Sequence, residues 1–293
     1  VKMESMIGRG RDAIAMLADP DSFVENQVGN AQVPEGYGPG AVVGTANLNG
    51  RPATILANDA QAVNPRFPVV YFGVIGMEEA YKMASAVYES ILADREKPVG
   101  EKRPLLLIVD TPGNGPGKVE EIFGMNKATG AYQLALAEAR KAGHAVIAMV
   151  IGRAISGAFL CHGLQADHIL ALPKECGTMI HVMPLTSISR ITKMDIERLE
   201  ELSQESPVFA AGVDFFYRLG GVEEIVPSPE EMRDAVARHV EQVEALKKAG
   251  NYEQTGPWSR GALGAERGGR TTRPEVLRRM TEEFASVSAR YLI

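Results

Sequence analysis

Cysteine is scarce in this chain: 293 residues contain only Cys161 and Cys176. Two thiols build no disulfide framework, and neither stands in a Cys-x-x-Cys pair, so no metal centre is expected. Long apolar runs are also missing; none approaches the roughly 20 residues that cross a bilayer. Val1 to Met16 lacks the charged-then-apolar order of a signal peptide. There is no basic excess either: 31 Lys and Arg face 37 Asp and Glu, a net charge of −6. That balance argues against nucleic acid as the main partner. No internal repeat is present. A cytoplasmic protein is expected, and 45% hydrophobic residues are enough for a full core.

What the chain does have is concentrated between Leu105 and Leu172. Leu105-Leu106-Leu107-Ile108-Val109 is an uninterrupted apolar run ending in Asp110. Val146 to Ile151 is a second, breaking at Gly152, and His168 to Leu172 a third. Apolar runs that do not alternate, separated by helix-length segments (Glu120 to Ala142, then Ser156 onward), read as buried parallel strands with crossover helices. The fold class is therefore α/β. Each of the first two strands ends in a turn of small residues. Thr111-Pro112-Gly113-Asn114-Gly115-Pro116-Gly117 follows one, and Gly152-Arg153-Ala154-Ile155-Ser156-Gly157-Ala158 the other. Ligands of open α/β sheets bind at such strand ends, and a helix starting there points free N–H groups into the crevice.

Around this unit, Ile7, Ile14 and Leu17 mark a helical arm stopped by Asp19-Pro20. Gly29 to Gly40 reads as a linker. Asn49-Gly50 between apolar segments signals a hairpin, and Met77 to Leu92 a helix. Thr178 to Met183 and Val222 to Val226 read as strands, Ser206-Pro207 to Gly212 as a turn, and Pro229 to Ala249 as an amphipathic helix. Gln254 to Met280 carries six arginines against two glutamates and is expected to be mobile or laid along a partner. The expected organisation is an arm and linker over 1–39, a main domain over 40–240, and a helix end with an extended arginine-rich tail over 241–293.

The candidate residues admit competing readings. Gly113-x-Gly115-x-Gly117 weakly resembles a dinucleotide fingerprint, but Pro116 removes a donor, and Gly152-Arg153 stands where the ribose-binding acid belongs. Ser156 lacks the flanking glycines of a nucleophile elbow, since Ala154 and Ala158 hold those positions; it reads instead as a helix cap or ligand contact, with Gly157 and Ala158 supplying amides. His162 reads as a crevice residue one turn beyond Ala158 or as a buried structural histidine. Arg153 reads as an anion ligand or a solvated charge, and His144 as a surface residue. His181 stays open between core and crevice. Glu120 and Glu121 are the only nearby candidates for a base.

With these residues laid out, the central unit resembles the carboxyl-terminal half of acyl-CoA carboxyltransferases, through Asp110-Thr111-Pro112-Gly113-x-x-Pro116-Gly117, Glu121 and Gly124. It is most similar to the malonate decarboxylase gamma-subunit family. The pattern appears in Asn64-Pro65-Arg66-Phe67-Pro68 with Gly76-x-Glu78-Glu79, in Gly143-His144-x-Val146, in Ile155 to Ala166 and in Arg190-Ile191-Thr192. The arm's Leu17-x-Asp19-Pro20-x-Ser22-Phe23-Val24-Glu25 is instead similar to the start of carboxyltransferase amino-terminal halves. The resemblance implies a crotonase-like ββα spiral. It further implies decarboxylation of a malonyl thioester on an acyl-carrier protein, with a homologous beta subunit completing the active site and an acyl-carrier transferase alpha subunit as a further partner. In a related branch the carboxyl group passes to biotin, and a purely scaffolding role is a third reading.

No cofactor bound by this chain itself is expected. The phosphopantetheine thioester, or carboxybiotin in the alternative, would come from a partner. The implied catalytic groups are Gly157, Ala158 and Ser156. The substrate side would be Gly113, Asn114, Gly115, Gly117, Arg153 and His162.

Overall fold

Asn49-Gly50 makes the turn its composition demands. In the computed structural model both residues have positive φ, 51° and 78°, as a type I′ turn requires. The structure describes residues 3–183, 185–205 and 212–291; the turn expected from Ser206-Pro207 lies outside them.

In chain order the first elements are α1 (Gly10–Leu17), β1 (Val24–Glu25), a short antiparallel pair β2 (Gln27–Val28) and β3 (Ala31–Gln32), β4 (Ala41–Leu48), β5 (Arg51–Asn58) and α2 (Met77–Ala93). The central unit contributes β6 (Leu105–Thr111), α3 (Lys118–Phe123), α4 (Met125–Lys141), β7 (Val146–Ile155), α5 (Ser156–Cys161), β8 (His168–Ala171) and β9 (Met179–His181). Then follow α6 (Leu185–Thr192), α7 (Ile196–Glu205), α8 (Val213–Arg218), β10 (Glu224–Ile225), α9 (Met232–Lys248), α10 (Gly256–Glu266) and α11 (Arg273–Val287).

The main sheet runs β1-β4-β5-β6-β7-β8-β10. Its first pairings are antiparallel, and everything from β5 to β10 is parallel. The strands 105–111 and 146–155 pair in parallel, as their unbroken apolar runs imply. Every residue of both is buried, because the two faces of the sheet meet two different cores. Leu105, Leu107 and Val109 pack with α2 and α4; Leu106 and Ile108 pack with α1 and α9.

Several expectations need revision. The second strand does not break at Gly152: β7 continues to Ile155, accommodated by a register shift opposite Val109 and Thr111. That extension gives β9 its partner, with Arg153 beside Met179 and Ile155 beside His181. The helix expected over Glu120 to Ala142 is divided at Gly124, whose φ is 99°. The arm forms its helix, α1, and Ala13, Ile14 and Leu17 join the buried cluster of β5, β6 and β7.

Nor is the tail extended, for it folds into α10 and α11. Its composition misleads because arginine counts do not show which guanidinium groups are buried against carbonyls. Arg260 is 5% exposed and donates to the carbonyls of Leu164 and Ala166, at 2.5 and 2.8 Å. Thr255 bonds Asp167 at 2.9 Å, and Lys247 holds the same carboxylate at 2.7 Å. Among the described residues no helix is long and apolar enough to cross a membrane.

Candidate active site

The turns that end β6 and β7 lie against each other. Gly113 has φ 147° and Ser156 φ 58°, so each chain direction changes sharply just beyond its strand. A methyl group on Gly113 would stand 3.9 Å from the Ser156 Cβ, and one on Gly157 only 2.8 Å from Asn114 Oδ1. A third segment closes over them: Ile75 donates to Gly113 O at 3.0 Å and accepts from Gly115 N at 2.8 Å.

These bonds decide which amides remain for a ligand. The Gly113 N–H meets Thr111 Oγ1 at 3.3 Å, and the Gly115 N–H is bound to Ile75. Glu120, buried in the first turn of α3, folds back so closely that a side chain at Gly117 would collide with its carboxylate. The Glu120 carboxylate thus lies against Gly117 at the helix start, while Glu121 is exposed. On the other side, the first N–H groups of α5 have no partner within the helix, and no side chain caps it. Gly157 is half-buried and Ala158 buried. The crevice therefore offers the Gly157 and Ala158 amides, the exposed Ser156 hydroxyl and the half-buried Asn114 side chain. Two donors converging at a helix start can hold an oxygen that gains negative charge, without a titrating group.

Arg153 is neither a solvated charge nor an open anion ligand. It is 4% exposed. Its Nε and Nη2 fork onto Asp110 at 2.8 and 3.0 Å, and its own N–H adds a third bond to Asp110 at 2.9 Å. The second carboxylate oxygen also accepts from Gly8 N at 2.7 Å. The Phe72 ring covers the guanidinium, 4.1 Å from ring centre to Cζ. This pair fastens the ends of β6 and β7 together below the crevice.

His162 likewise does not reach the crevice. α5 ends at Cys161, and His162 leaves helical geometry (φ −111°, ψ 62°), so helical spacing does not carry to it. Its Nε2 donates to Ile108 O at 2.9 Å, which leaves Nδ1 to accept from the Tyr132 hydroxyl at 2.9 Å. Burial pushes its pKa down to about 4, so it is a neutral strut. His144 is fully buried too, contrary to a surface reading, with Nδ1 2.8 Å from Arg103 O. His168 and His239 bond each other at 2.8 Å. His181 alone stands beside the crevice, next to Ile155 in β9, half-buried, with a buried Nδ1 lacking a partner.

Sequence reasoning missed the segment Tyr71 to Ile75. Phe72 has φ 54°, an uncommon state for a bulky residue, and it supplies the cover of Arg153. The neighbouring Gly73 and Gly76 were the available signal. Large apolar side chains stay exposed on the two helices that follow these turns, Ile122 and Phe123 of α3, each 72% exposed, and Leu160 of α5, as they do at Tyr71 and Val182. Apolar side chains left in water beside a ligand crevice suit an interaction surface.

Comparison with known proteins fits this geometry. A family model described as malonate decarboxylase gamma subunit matches residues 72–284. The chain is 64% identical over 283 residues to the malonyl-S-ACP:biotin-protein carboxyltransferase MADD of Malonomonas rubra, covering 96% of this chain and 97% of that one. It is similar to a chain of the Pseudomonas malonate decarboxylase hetero-tetramer solved with coenzyme A, at 31% identity and TM-score 0.77, over 94% of this chain and 99% of that one. The Pseudomonas MdcD-MdcE hetero-dimer matches at 33% identity and TM-score 0.67, over 92% and 96%. A transcarboxylase 12S chain, at 24% identity and TM-score 0.63 over 80% of this chain and 41% of that one, shares the fold. The fold is thus that of the crotonase-like carboxyltransferases.

Proposed function

The chain belongs to the malonate decarboxylase gamma-subunit family, and on that premise we propose that it supplies half of an active site that removes the carboxyl group from a malonyl thioester on an acyl-carrier protein. The observation that carries this reading is the contact of Asn114 with Gly157, which brings two strand-end turns into one crevice whose donors are backbone amides. When the bond to the carboxyl carbon breaks, its electron pair moves toward the thioester carbonyl and leaves an enolate oxygen. The Gly157 and Ala158 amides stabilise that oxygen, or the oxygens on the carboxyl side, at no cost of reorganisation. The enolate carbon then takes a proton, giving the acetyl thioester and carbon dioxide.

The exposed Ile122 and Phe123 of α3 and Leu160 of α5 support a second subunit here, a beta homologue bringing the other oxyanion turn. A carrier protein would present the substrate on its phosphopantetheine arm, and a transferase alpha subunit would load it. One observation favours a second reading: the relative 64% identical to this chain is named for transfer to a biotin protein. In that branch the same bond breaks and the carboxyl group passes to biotin held by another partner.

The test is turnover of malonyl-carrier labelled in its free carboxyl group, by this chain co-purified with its beta partner. Label released as carbon dioxide without biotin supports the first reading. Label that instead appears on an added biotin protein, and does not when avidin is present, supports the second. No turnover under either condition overturns both.

A further inference from the structure

The arginine-rich tail has a physical use that the crevice does not absorb. Beside α10 lies a cavity of about 330 Å³ walled by Leu164, Phe216, Leu219 and Pro257, with Arg270 and Arg273 at its edge. Two glycines of α10 shape this wall. A methyl group on Gly261 would stand 2.6 Å from the Arg273 Cζ, and one on Gly264 would collide with the Leu219 carbonyl and stand 2.8 Å from the Arg270 Cδ. Glycine inside a helix is unfavourable by about 1 kcal/mol relative to alanine, so two of them three residues apart call for a reason. Here Gly261 lets the Arg273 side chain lie against the helix, and Gly264 admits the Leu219 carbonyl, which in turn holds the Arg270 Nε.

The two guanidinium groups differ from their neighbours in keeping most of their donors free among the described residues. Arg278 and Arg279 pair with Glu275 and Glu282. Arg260 and Arg267 are bound to carbonyls, Arg267 to those of Val222 and Glu223. Among the described residues, by contrast, neither Arg270 nor Arg273 pairs with a carboxylate. Arg270 gives only its Nε, to Leu219 O at 2.8 Å. Arg273 stands 5.9 Å from the Trp258 ring at the uncapped start of α11, a helix of 15 residues whose N-terminal end adds positive potential. Forked, unpaired guanidinium groups match the oxygens of phosphate.

The cavity is close to the crevice. Phe216 meets Phe159 of α5 edge-on at 6.5 Å, and Leu164 follows α5 by three residues. A helix of six residues spans only about 9 Å, so a ligand held here can extend toward Gly157.

We propose that Arg270 and Arg273 form a subsite for the phosphate of a pantetheine thioester, with the apolar walls receiving the adjoining organic part. This rests on the reading that the substrate is a malonyl thioester on such an arm. The phosphate could belong to a carrier protein's arm or to a free coenzyme.

The experiment uses the complex of this chain with its beta partner. In the R270Q/R273Q variant the KM for malonyl-carrier should rise about tenfold or more, as expected for one lost charge-assisted hydrogen bond. Its kcat, and its turnover of malonyl-pantetheine, which has no phosphate, should stay near wild type. An unchanged KM, or equal loss on both substrates, overturns the subsite. Calorimetry on the wild-type complex keeps the test independent of how the variant folds: phosphopantetheine should bind at least about tenfold more tightly than pantetheine, and equal binding overturns the proposal. Phosphopantetheine matching coenzyme A assigns the arm's phosphate, whereas tight binding by coenzyme A alone places the nucleotide there and overturns the proposal. A carrier protein stripped of its arm that binds as well as the intact one overturns the phosphate assignment. Wild type inactive on both thioesters would instead overturn the functional reading, and calorimetry would still judge the subsite.

Discussion

Asn114 Oδ1 lies over Gly157 so closely that a methyl group there would stand 2.8 Å away. Gly157 is not in the left-handed region, so the backbone tolerates alanine and the conflict is with the tip of one flexible side chain. G157A should fold with a near-normal melting temperature and lose part of its activity as Asn114 is pushed aside. G157V should lose activity by about a hundredfold to a thousandfold, the scale of a lost oxyanion donor. G157A/N114A should recover activity relative to G157A, because contacting residues couple. Turnover by folded complexes checks all three, and near-normal activity of G157V would remove these amides from the site and leave the chain a scaffold.

Ser156 gives a sharper distinction between backbone and side-chain roles. Its φ of 58° is one that glycine adopts freely and other residues rarely do. S156G should therefore be at least as stable as wild type, and S156A should keep activity within about tenfold, the size of one modest hydrogen bond. A fall on the order of a thousandfold in S156A, with the complex intact, would mark the hydroxyl as a reacting group.

The Asp110–Arg153 pair is buried on both sides, at 2% and 4% exposure. Removing one member leaves the other uncompensated, which costs about 3–5 kcal/mol. D110A should shift the denaturant midpoint accordingly. R153K should also destabilise, since an ammonium cannot reproduce the fork. A D110A midpoint equal to wild type would show that the two strand ends are held together by other contacts.

The strands, the hairpin and the place of the crevice were legible because each is local. Leu105 to Val109 can only be a strand covered on both faces, and Asn49-Gly50 prescribes its own turn. What escaped depends on partners far along the chain. His162 was taken by Ile108 O, 54 residues away. Phe72 gained its role from Arg153, and β9 gained its pairing because β7 ran past Gly152. Tail composition points to an open segment, yet a buried Arg260 bound to carbonyls near residue 165 packs α10 against the core, while α11 forms a helix that buries none of its residues. Charge and glycine counts do not show where a guanidinium will find oxygen.

Acid should weaken the fold through its histidines. Burial holds His144, His162 and His168 down to about 4, against about 6.5 in an unfolded chain. The unfolded state therefore binds more protons between those values, and stability rises with pH across that window. The contribution is fully present above about pH 6.5 and is lost as pH falls toward 4. Denaturant midpoints measured from pH 7.5 to 4.5 should drop steeply below about 6.5. H162Q should be less stable at neutral pH and show a shallower drop. Its pH–rate profile should match wild type, since both ring nitrogens of His162 are already bound; a changed profile would return His162 to the chemistry.

Ile122 and Phe123 bear on the partner. Each is 72% exposed at the end of α3, directly after the Gly113–Gly117 turn, so they contribute little to this chain's own core. If the beta subunit covers the crevice, these side chains fall within its footprint. Obligate complexes of this kind bury about 2,000 Å² or more, and large apolar side chains near the centre of a patch carry a disproportionate share of the binding. I122E/F123E should leave the melting temperature of the isolated chain within a few degrees. The same variant should weaken association with the beta subunit by about a hundredfold or more, the scale of an interfacial hot spot, and activity should fall only where subunit concentration no longer drives assembly. Raising the partner's concentration should then restore turnover to the wild-type kcat, which distinguishes a docking defect from damage to Gly157 and Asn114. Unchanged association in a folded I122E/F123E variant would place the partner on another face and leave these two side chains without an occupant.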